Sequence, residues 1–436
     1  MFKETKLKNG LSVITSPMSG TRTATILIMV GTGARYENKM NNGLSHFLEH
    51  VFFKGTKKRA SAHDIVSELD GLGCDYNAFT GKEYTGYYIK IDSAKLNKAI
   101  DVLSDMFLNS KFDAREINRE RGVIIEELNM YQDNPMMYVE DIFEECLYGD
   151  TPAGRDTIGT KENILNLKRK EFVDYVNSQY GPENTFVVVS GDINENKVRA
   201  EINKKLNKDT FNKRGKKFVE KELVDDIQGA KKVKTHFKKT DQAHLSLGVR
   251  SFPYGHKDAQ VLKLISVILG GSMSSRLFIN LRERNGLAYY VRTSVETYTD
   301  SGYITTQAGV PVDKVEKAIE IIIKEYKTLT KKLVDPIELK KAKDLIAGKV
   351  AIQLESSDNV ANWYARQAVL MAGAKRVGQE KNIEVVDPEK AMKEILKVKT
   401  SDIKRVAAQI FKTDFLNLAI IGPYKNKKQF EKLLRI

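Results

Sequence analysis

An internal repeat divides this chain into two similar halves and limits its fold more than any other feature of the sequence. Residues 112–116 (FDARE) match residues 334–338 (VDPIE), and the apolar run at 186–191, closed by glycine, matches the run at 418–422. The matching offsets predict two units of roughly 215 residues with small insertions. A single core for all 436 residues is therefore not expected, because one domain usually holds about 100–200 residues.

The alternation of strand-like and helix-like segments predicts the fold class. Strand-like runs at 24–30 and 84–91 read as sheet core, and amphipathic helical segments follow without the glycine fingerprint of a dinucleotide fold. We therefore predict an α+β protein with two homologous domains, each a mostly antiparallel β-sheet flanked by α-helices. The predicted domains are residues 1–210 and 240–436, joined by a charged, lysine-rich linker region at 211–239.

Composition and charge argue against several classes of protein. The formal net charge is +14, but the lysines are spread along the chain without a nucleic-acid-binding signature, so nucleic acid is not the expected partner. Cys74 and Cys146 are too few for a disulfide framework or a thiolate metal site. Apolar stretches are far shorter than the roughly 20 residues of a membrane-spanning helix, and the first residues lack a signal-peptide pattern. These features favour a cytoplasmic protein that has no membrane partner.

The strongest chemical motif is a pair of histidines separated by three residues. A helix with Asn42 or Ser45 as its cap is predicted to carry His46, Glu49 and His50. Histidines four positions apart project from one face of a helix and can share a metal ion. This is the H-x-x-E-H arrangement, the inversion of the common zinc-binding helix motif. The alternative interpretation is a surface helix with two unconnected histidines.

A catalytic zinc site usually has three protein ligands and one open position, so a third ligand is expected elsewhere. The predicted helix at 114–132 is rich in acids, namely Glu116, Glu120, Glu126 and Glu127. Glu120 and Glu127 are seven positions apart and share a helix face. One acid on that face could bind the metal while another orients a histidine ligand. Alternatively, the acids form a solvated helix face.

The second half of the repeat provides an internal comparison. At the offset that pairs Asp113 with Asp335, Glu127 falls opposite Lys349 and Glu120 falls opposite Ala342. The second half also has no paired histidines at the matching position. The sequence therefore predicts one metal site per chain.

The motif and its surroundings resemble one known family. The segment 46–50 (HFLEH) is followed by 53–56 (FKGT), as in the inverted-zinc-motif metallopeptidases, the family of pitrilysin, insulin-degrading enzyme and the mitochondrial processing peptidase. The chain is similar to the half-length, two-domain branch that includes the processing peptidase. In that family 76 residues separate the second histidine from the third ligand, and the same spacing here selects Glu127 over Glu126. The resemblance also implies that Glu120 is the glutamate that orients a histidine ligand, and that each chain binds one Zn²⁺.

The resemblance further implies how a substrate is bound. Asn77, Ala78 and Phe79 match the edge strand to which the family adds an extended peptide as a further strand. Phe53 would line the pocket just beyond the scissile bond. For Phe53 and Phe79 the alternative is core packing.

A second set of residues implied by the resemblance lies in the other half of the chain. Arg282 and Tyr289 match the family's substrate-clamping pair, which comes from the second of two facing halves. Because this chain corresponds to only one of those halves, Arg282 and Tyr289 are expected to act on the zinc site of a partner subunit. A homodimer enclosing a chamber is the expected assembly, and a heterodimer with a subunit that lacks one set is the alternative.

The activity implied by the resemblance is zinc-dependent cleavage of peptides or unfolded polypeptide segments. Glu49 is expected to act as the general base and then as the proton donor to the leaving amine. The competing hypothesis is a non-catalytic scaffold or partner subunit of the same fold. A basic nucleic-acid binder is a third class, which only the net charge supports.

Overall fold

The computed structural model describes residues 2–224, 228–379 and 383–436. The strands are β1 (Lys3–Lys6), β2 (Ser12–Pro17), β3 (Thr23–Val30), β4 (Asp75–Thr80), β5 (Thr85–Asp92), β6 (Thr185–Gly191), β7 (Lys232–Phe237), β8 (Gln242–Ser251), β9 (Tyr290–Thr297), β10 (Gly302–Pro311) and β11 (Asn417–Gly422). The helices are α1 (Leu44–Val51), α2 (Ala62–Leu72), α3 (Leu96–Asn109), α4 (Ala114–Asp133), α5 (Pro135–Tyr148), α6 (Lys161–Asn166), α7 (Arg169–Gln179), α8 (Glu195–Leu206), α9 (Asp209–Asn212), α10 (Ala259–Gly270), α11 (Val315–Lys331), α12 (Pro336–Gln353), α13 (Ser357–Arg376), α14 (Pro388–Lys397), α15 (Thr400–Ile410) and α16 (Lys428–Glu431).

Two β-sheets with the same strand order confirm the predicted α+β class. The first sheet has the order β1-β2-β6-β3-β5-β4, and the second has the order β7-β11-β8-β10-β9. In each sheet one pair of strands is parallel, β2 with β6 and β7 with β11, and the other pairs are antiparallel. The second sheet therefore repeats the first without a counterpart of β1, as the internal repeat predicts.

Local sequence explains which strands lie in the middle of the first sheet and which lie at its edge. Strand β3 reads TATILIMV and is buried along nearly its whole length, as expected for a strand covered on both faces. It pairs with β5 on one side and β6 on the other, with Ile26 opposite Ile89. Strand β4 reads DYNAFT, is largely uncovered, and pairs only with β5 within its sheet. The chain thus places a polar, accessible strand at the edge.

The compact units of the structure do not follow the continuous ranges predicted as domains. The first unit comprises Met1–Leu128, Asp156–Glu222 and Val350–Asp387, and the second comprises Asn129–Arg155, Leu223–Lys349 and Pro388–Ile436. The reason is that α13 packs on β3 and β6 in the first unit, whereas α5 packs on β8 and β11 in the second. An amphipathic helix pattern does not specify which sheet its apolar face will cover.

The segment 211–239, predicted as a linker region, contains regular structure. Its strand β7 runs parallel to β11 at the edge of the second sheet. Residues 225–227 of this segment lie outside the described residues. A lysine-rich edge strand explains why this stretch looks like a linker in sequence, since lysine is common on exposed sheet edges.

None of the helices within residues 2–224, 228–379 and 383–436 combines the length and the apolar character that a membrane crossing requires.

Candidate metal centre

Helix α1 is held in the first unit by an apolar stripe at helical spacing. Leu44, Phe47, Leu48 and Val51 are at most 1% exposed, and they occupy positions i, i+3, i+4 and i+7. The ring of Phe47 meets the ring of Phe172 edge to face, with the centroids 4.9 Å apart. Because this stripe is packed, the remaining face of the helix has a fixed direction.

The start of α1 differs from the sequence prediction, in which Asn42 or Ser45 is the cap. The N-cap is Gly43, at φ 99°, and no side chain caps the helix from that position. Instead, the buried carboxylate of Glu37 accepts hydrogen bonds from the backbone N–H groups of Gly43 and Ser45, at 2.7 and 2.5 Å. It also accepts one from the side-chain amide of Asn42 at 3.1 Å. A negative group here also complements the positive end of the helix.

The surroundings of Glu37 oppose its charge, and those of Gly43 leave no room for a side chain. Burial raises the pKa of the Glu37 carboxyl, and the hydrogen bonds from Ser45 and Gly43 oppose that rise. A β-carbon on Gly43 would lie 2.3 Å from the carbonyl oxygen of Ile158, so a larger residue does not fit. The helix that carries the histidines is therefore positioned by packing along its length and by a buried carboxylate at its start.

His46, His50 and Glu127 form a cluster with the geometry of a metal site. One oxygen of Glu127, Oε2, lies 3.5 Å from Nε2 of His46 and 3.4 Å from Nε2 of His50. A tetrahedral zinc ion with bonds of about 2.1 Å needs ligand atoms about 3.4 Å apart, so the two distances from Glu127 to the histidines suit that ion. In the part of the chain that the structure describes, this is the one group of three such side chains whose ligand atoms all lie within 4.8 Å of one another.

The structure also separates the two adjacent glutamates of α4. Glu127 is half-buried and faces the histidines of α1, whereas Glu126 is exposed. One helical residue corresponds to a rotation of about 100°, so the two carboxylates point in different directions. Of the two carboxylates, Glu127 is therefore the one that lies beside the histidines.

Glu120, two turns before Glu127 on α4, contacts the far side of the His50 ring. Its Oε1 lies 3.0 Å from Nδ1 of His50, and its Oε2 lies 2.6 Å from Nζ of Lys54. Burial would raise the pKa of Glu120, but the hydrogen bonds with His50 and Lys54 outweigh burial and lower it. An ionised Glu120 accepts the Nδ1–H of His50, which leaves Nε2 free to face Glu127.

The charges of the cluster couple metal binding to proton release. Burial opposes the charged form of His50, but its hydrogen bonds with Glu120 and Glu127 dominate and raise its pKa to about 9. Hydrogen bonds from His46 and His50 hold the pKa of Glu127 well below its usual range. A metal ion binds the neutral imidazole and the ionised carboxylate, so its binding at neutral pH displaces a proton from His50.

Glu49, the proposed base, lies between this cluster and strand β4. Its Oε2 accepts a hydrogen bond from the hydroxyl of Thr80 at 2.5 Å. Burial raises the pKa of the Glu49 carboxyl, and the bond from Thr80 and the two histidines oppose the rise. The sequence analysis assigned no role to Thr80, although Thr80 directly follows Asn77, Ala78 and Phe79 in the same predicted edge strand and so offered a signal.

The predicted substrate strand is β4, the last strand of the first sheet. Asn77 is exposed, and Ala78 is largely buried, with 9% of its surface exposed. Phe79 is half-buried, and its ring lies over Gly86 of the neighbouring strand β5. Phe53 is half-buried, and its ring centroid lies 6.4 Å from that of Tyr76 on β4. Asn77, Ala78 and Phe79 therefore lie along the accessible edge strand that ends at Thr80, and Phe53 lies beside Tyr76 of the same strand.

Arg282 and Tyr289 lie together in the second unit. Arg282 belongs to a short π-helical segment, Phe278–Glu283, and donates from Nη1 to the backbone carbonyl of Tyr289 at 2.9 Å. Its guanidinium lies 5.5 Å from the centroid of the Tyr289 ring. The Tyr289 residue is 75% exposed, so it is accessible for a contact with another molecule.

Comparison with known proteins agrees with the fold. The family model described as "Insulinase (Peptidase family M16)" matches residues 12–161, and the model described as "Peptidase M16 inactive domain" matches residues 166–346. The histidine motif and Glu127 lie in the first matched region. The second matched region lacks paired histidines, in agreement with its description.

Similarity to individual proteins extends over nearly the whole chain. The chain is 33% identical to the uncharacterized zinc protease YmxG of Bacillus subtilis, over 98% of this chain and 99% of that protein. It is 32% identical to an uncharacterized zinc protease of Rickettsia felis, over 97% of this chain and 98% of that protein. The chain belongs to peptidase family M16, in its half-length, two-domain branch.

Solved structures confirm the fold at low sequence identity. A protease from Helicobacter pylori matches with a TM-score of 0.86 and 24% identity, over 97% of this chain and 99% of that one. A protein from Pseudomonas fluorescens, described as a peptidase M16 inactive domain, also matches with a TM-score of 0.86, at 16% identity, over 97% of this chain and 98% of that one.

Proposed function

We propose that this protein is a zinc metalloendopeptidase that hydrolyses peptides or unfolded polypeptide segments. The observation that carries the proposal is the triangle of donor atoms from His46, His50 and Glu127, next to the half-buried carboxylate of Glu49. Two neutral nitrogens and one carboxylate leave the fourth position of a tetrahedral ion open, as catalytic zinc sites require. The family names of the relatives, which are zinc proteases, support the same assignment.

The residues of this chain have distinct parts in the proposed reaction. A bound zinc ion would polarise the peptide carbonyl and make a water molecule more acidic. Glu49 accepts a proton from the attacking water and delivers it to the leaving nitrogen. The hydroxyl of Thr80 holds one oxygen of Glu49, so the other oxygen is available for the proton. Glu120 keeps His50 in the tautomer whose Nε2 faces Glu127.

The accessible strand β4 supports an extended peptide as the substrate. A peptide that adds to this edge forms main-chain hydrogen bonds with little demand on its sequence. Asn77, Ala78 and Phe79 supply that edge, and Phe53 contributes an apolar surface beside it. Because Thr80 ends the same strand and contacts Glu49, a peptide bound here runs toward the metal centre.

The proposal is tested with a mixture of unstructured peptides analysed by mass spectrometry. We expect internal cleavages by the protein loaded with one equivalent of zinc, loss of cleavage after chelation, and recovery when zinc is restored. A protein that binds zinc stoichiometrically, is dimeric and cleaves none of the peptides would contradict the endopeptidase proposal and favour the non-catalytic scaffold.

We also propose a homodimer in which Arg282 and Tyr289 of each subunit act on the zinc site of the other. Mixing Glu49→Gln with Tyr289→Phe tests this arrangement, because neither variant alone has a complete site. Random exchange of subunits should restore roughly one quarter of the wild-type activity, since half of the dimers regain one of two sites. No recovery after verified subunit exchange would show that the pair does not act between subunits.

A further inference from the structure

Lys54 occupies an unusual place for a lysine, at the end of a series of contacts that leads to the metal centre. Its Nζ lies 2.6 Å from Oε2 of Glu120, whose Oε1 lies 3.0 Å from Nδ1 of His50. The Nε2 of the same His50 ring lies 3.4 Å from Glu127. The four side chains therefore form one continuous path from a cation to a predicted metal ligand.

The backbone and the burial of this region fix the position of Lys54. The residue lies three positions after the end of α1, where its N–H donates to the carbonyl of Val51 at 3.0 Å. Its side chain is only 24% exposed, and that of Glu120 is only 6% exposed. Each oxygen of Glu120 has its own partner, so rotation of the carboxylate would break both contacts. A buried carboxylate that loses its cation is costly, which ties Glu120 to this orientation.

We propose that Lys54 is a positioning residue of the metal centre, which acts through Glu120. Lys54 holds Oε2, and Oε1 is thereby directed at Nδ1 of His50, so the imidazole presents Nε2 to the metal. This inference rests on the proposed zinc site and adds a residue to its support. Groups that orient metal-binding histidines typically change metal affinity by about 10- to 100-fold when they are removed.

Electrostatic repulsion alone predicts the opposite change in zinc affinity when Lys54 is removed. The direction of the measured change therefore tests the inference. A lysine near a divalent cation repels that cation. If Lys54 acted only as a nearby positive charge, its removal would strengthen zinc binding. If Lys54 acts by positioning Glu120, its removal weakens zinc binding in spite of the relieved repulsion.

The experiment measures the zinc affinity of the metal-free, full-length protein by competition with a chromophoric chelator. We expect Lys54→Met to weaken zinc binding by about 10-fold or more. Lys57→Met is the matched control, because Lys57 lies in the same loop and is exposed. Lys57→Met also removes one positive charge, and it should leave the zinc affinity unchanged or slightly higher.

A double-mutant cycle with Glu120→Gln shows whether Lys54 acts through Glu120. In the Glu120→Gln background, Lys54→Met should change the zinc affinity by less than about twofold, since the group that Lys54 positions is already altered. Wild-type affinity or tighter binding in Lys54→Met would overturn the inference, and so would fully multiplicative effects in the cycle. If Lys54→Met does not fold, Lys54→Gln replaces it, with the same expected loss.

Failure of this inference is distinguishable from failure of the proposed function. If the wild-type protein binds no zinc, the proposed zinc site is wrong. If the wild type binds zinc and Lys54→Met binds it equally well, only the role of Lys54 is wrong. Chemical unfolding of the metal-free variants is measured in parallel, and a similar midpoint for Lys54→Met and wild type excludes general destabilisation as the cause.

Discussion

Glu49→Gln is expected to abolish most peptide hydrolysis while the protein keeps its zinc. The amide has nearly the same shape as the carboxylate and can still contact Thr80, but it cannot accept a proton at neutral pH. General-base catalysis contributes about 100- to 10,000-fold to a reaction rate, so kcat should fall within that range. The KM for a peptide should change little, because β4 rather than Glu49 binds the main chain.

The measurement combines initial rates on one cleaved peptide with zinc quantified in the same samples. Glu126→Gln, an equivalent change at an exposed position, is the control and should retain wild-type rates. If Glu49→Gln kept more than about a tenth of the activity, the assignment of Glu49 as the base would be wrong. Loss of zinc together with activity would instead give Glu49 a part in holding the metal centre.

Glu127→Gln is expected to remove zinc binding and, with it, activity. Glu127 supplies the one anionic oxygen of the cluster, and both histidines lie within 3.5 Å of it. A neutral amide oxygen is a poor zinc ligand, and two imidazoles alone do not complete a site. Residues that only orient a metal ligand change the metal affinity by at most about 100-fold when they are removed. The zinc affinity of Glu127→Gln should therefore fall by more than that.

The chain offers a closely matched control for this change in the preceding residue. Glu126→Gln removes the same charge from the same helix, but Glu126 is exposed and points away from the histidines. Zinc affinity measured by chelator competition should be lost in Glu127→Gln and unchanged in Glu126→Gln. The reverse pattern would mean that α4 binds the metal through its other carboxylate.

The sequence determined the half of the site that lies on one helix. His46, Glu49 and His50 are close together because helical geometry places residues three and four positions apart on one face. The same reasoning predicted an acidic helix with Glu120 and Glu127 on a common face. Pattern alone did not choose between Glu126 and Glu127, because either residue faces the histidines for a suitable rotation of the helix. The family resemblance made that choice, and the structure places Glu127 there.

Only the tertiary structure decided which side chains outside the two site helices support the site. Glu37 caps α1 in place of the predicted Asn42 or Ser45, and no local pattern indicates a cap that comes from outside the helix. Thr80 on β4 holds Glu49, and Lys54 holds Glu120.

In the two compact units, the sheets could be predicted from local sequence, but the packing of helices on them could not. The repeat predicted two similar sheets, since alternation and apolar runs are local properties of the sequence. It did not predict that α5 packs on the second sheet and α13 on the first, because an apolar helix face is complementary to either sheet. Secondary structure and the helical half of the site follow from local geometry. The partners of α5, α13 and Lys54 depend on packing between segments that are distant in the chain, and no local pattern of the sequence specifies that packing.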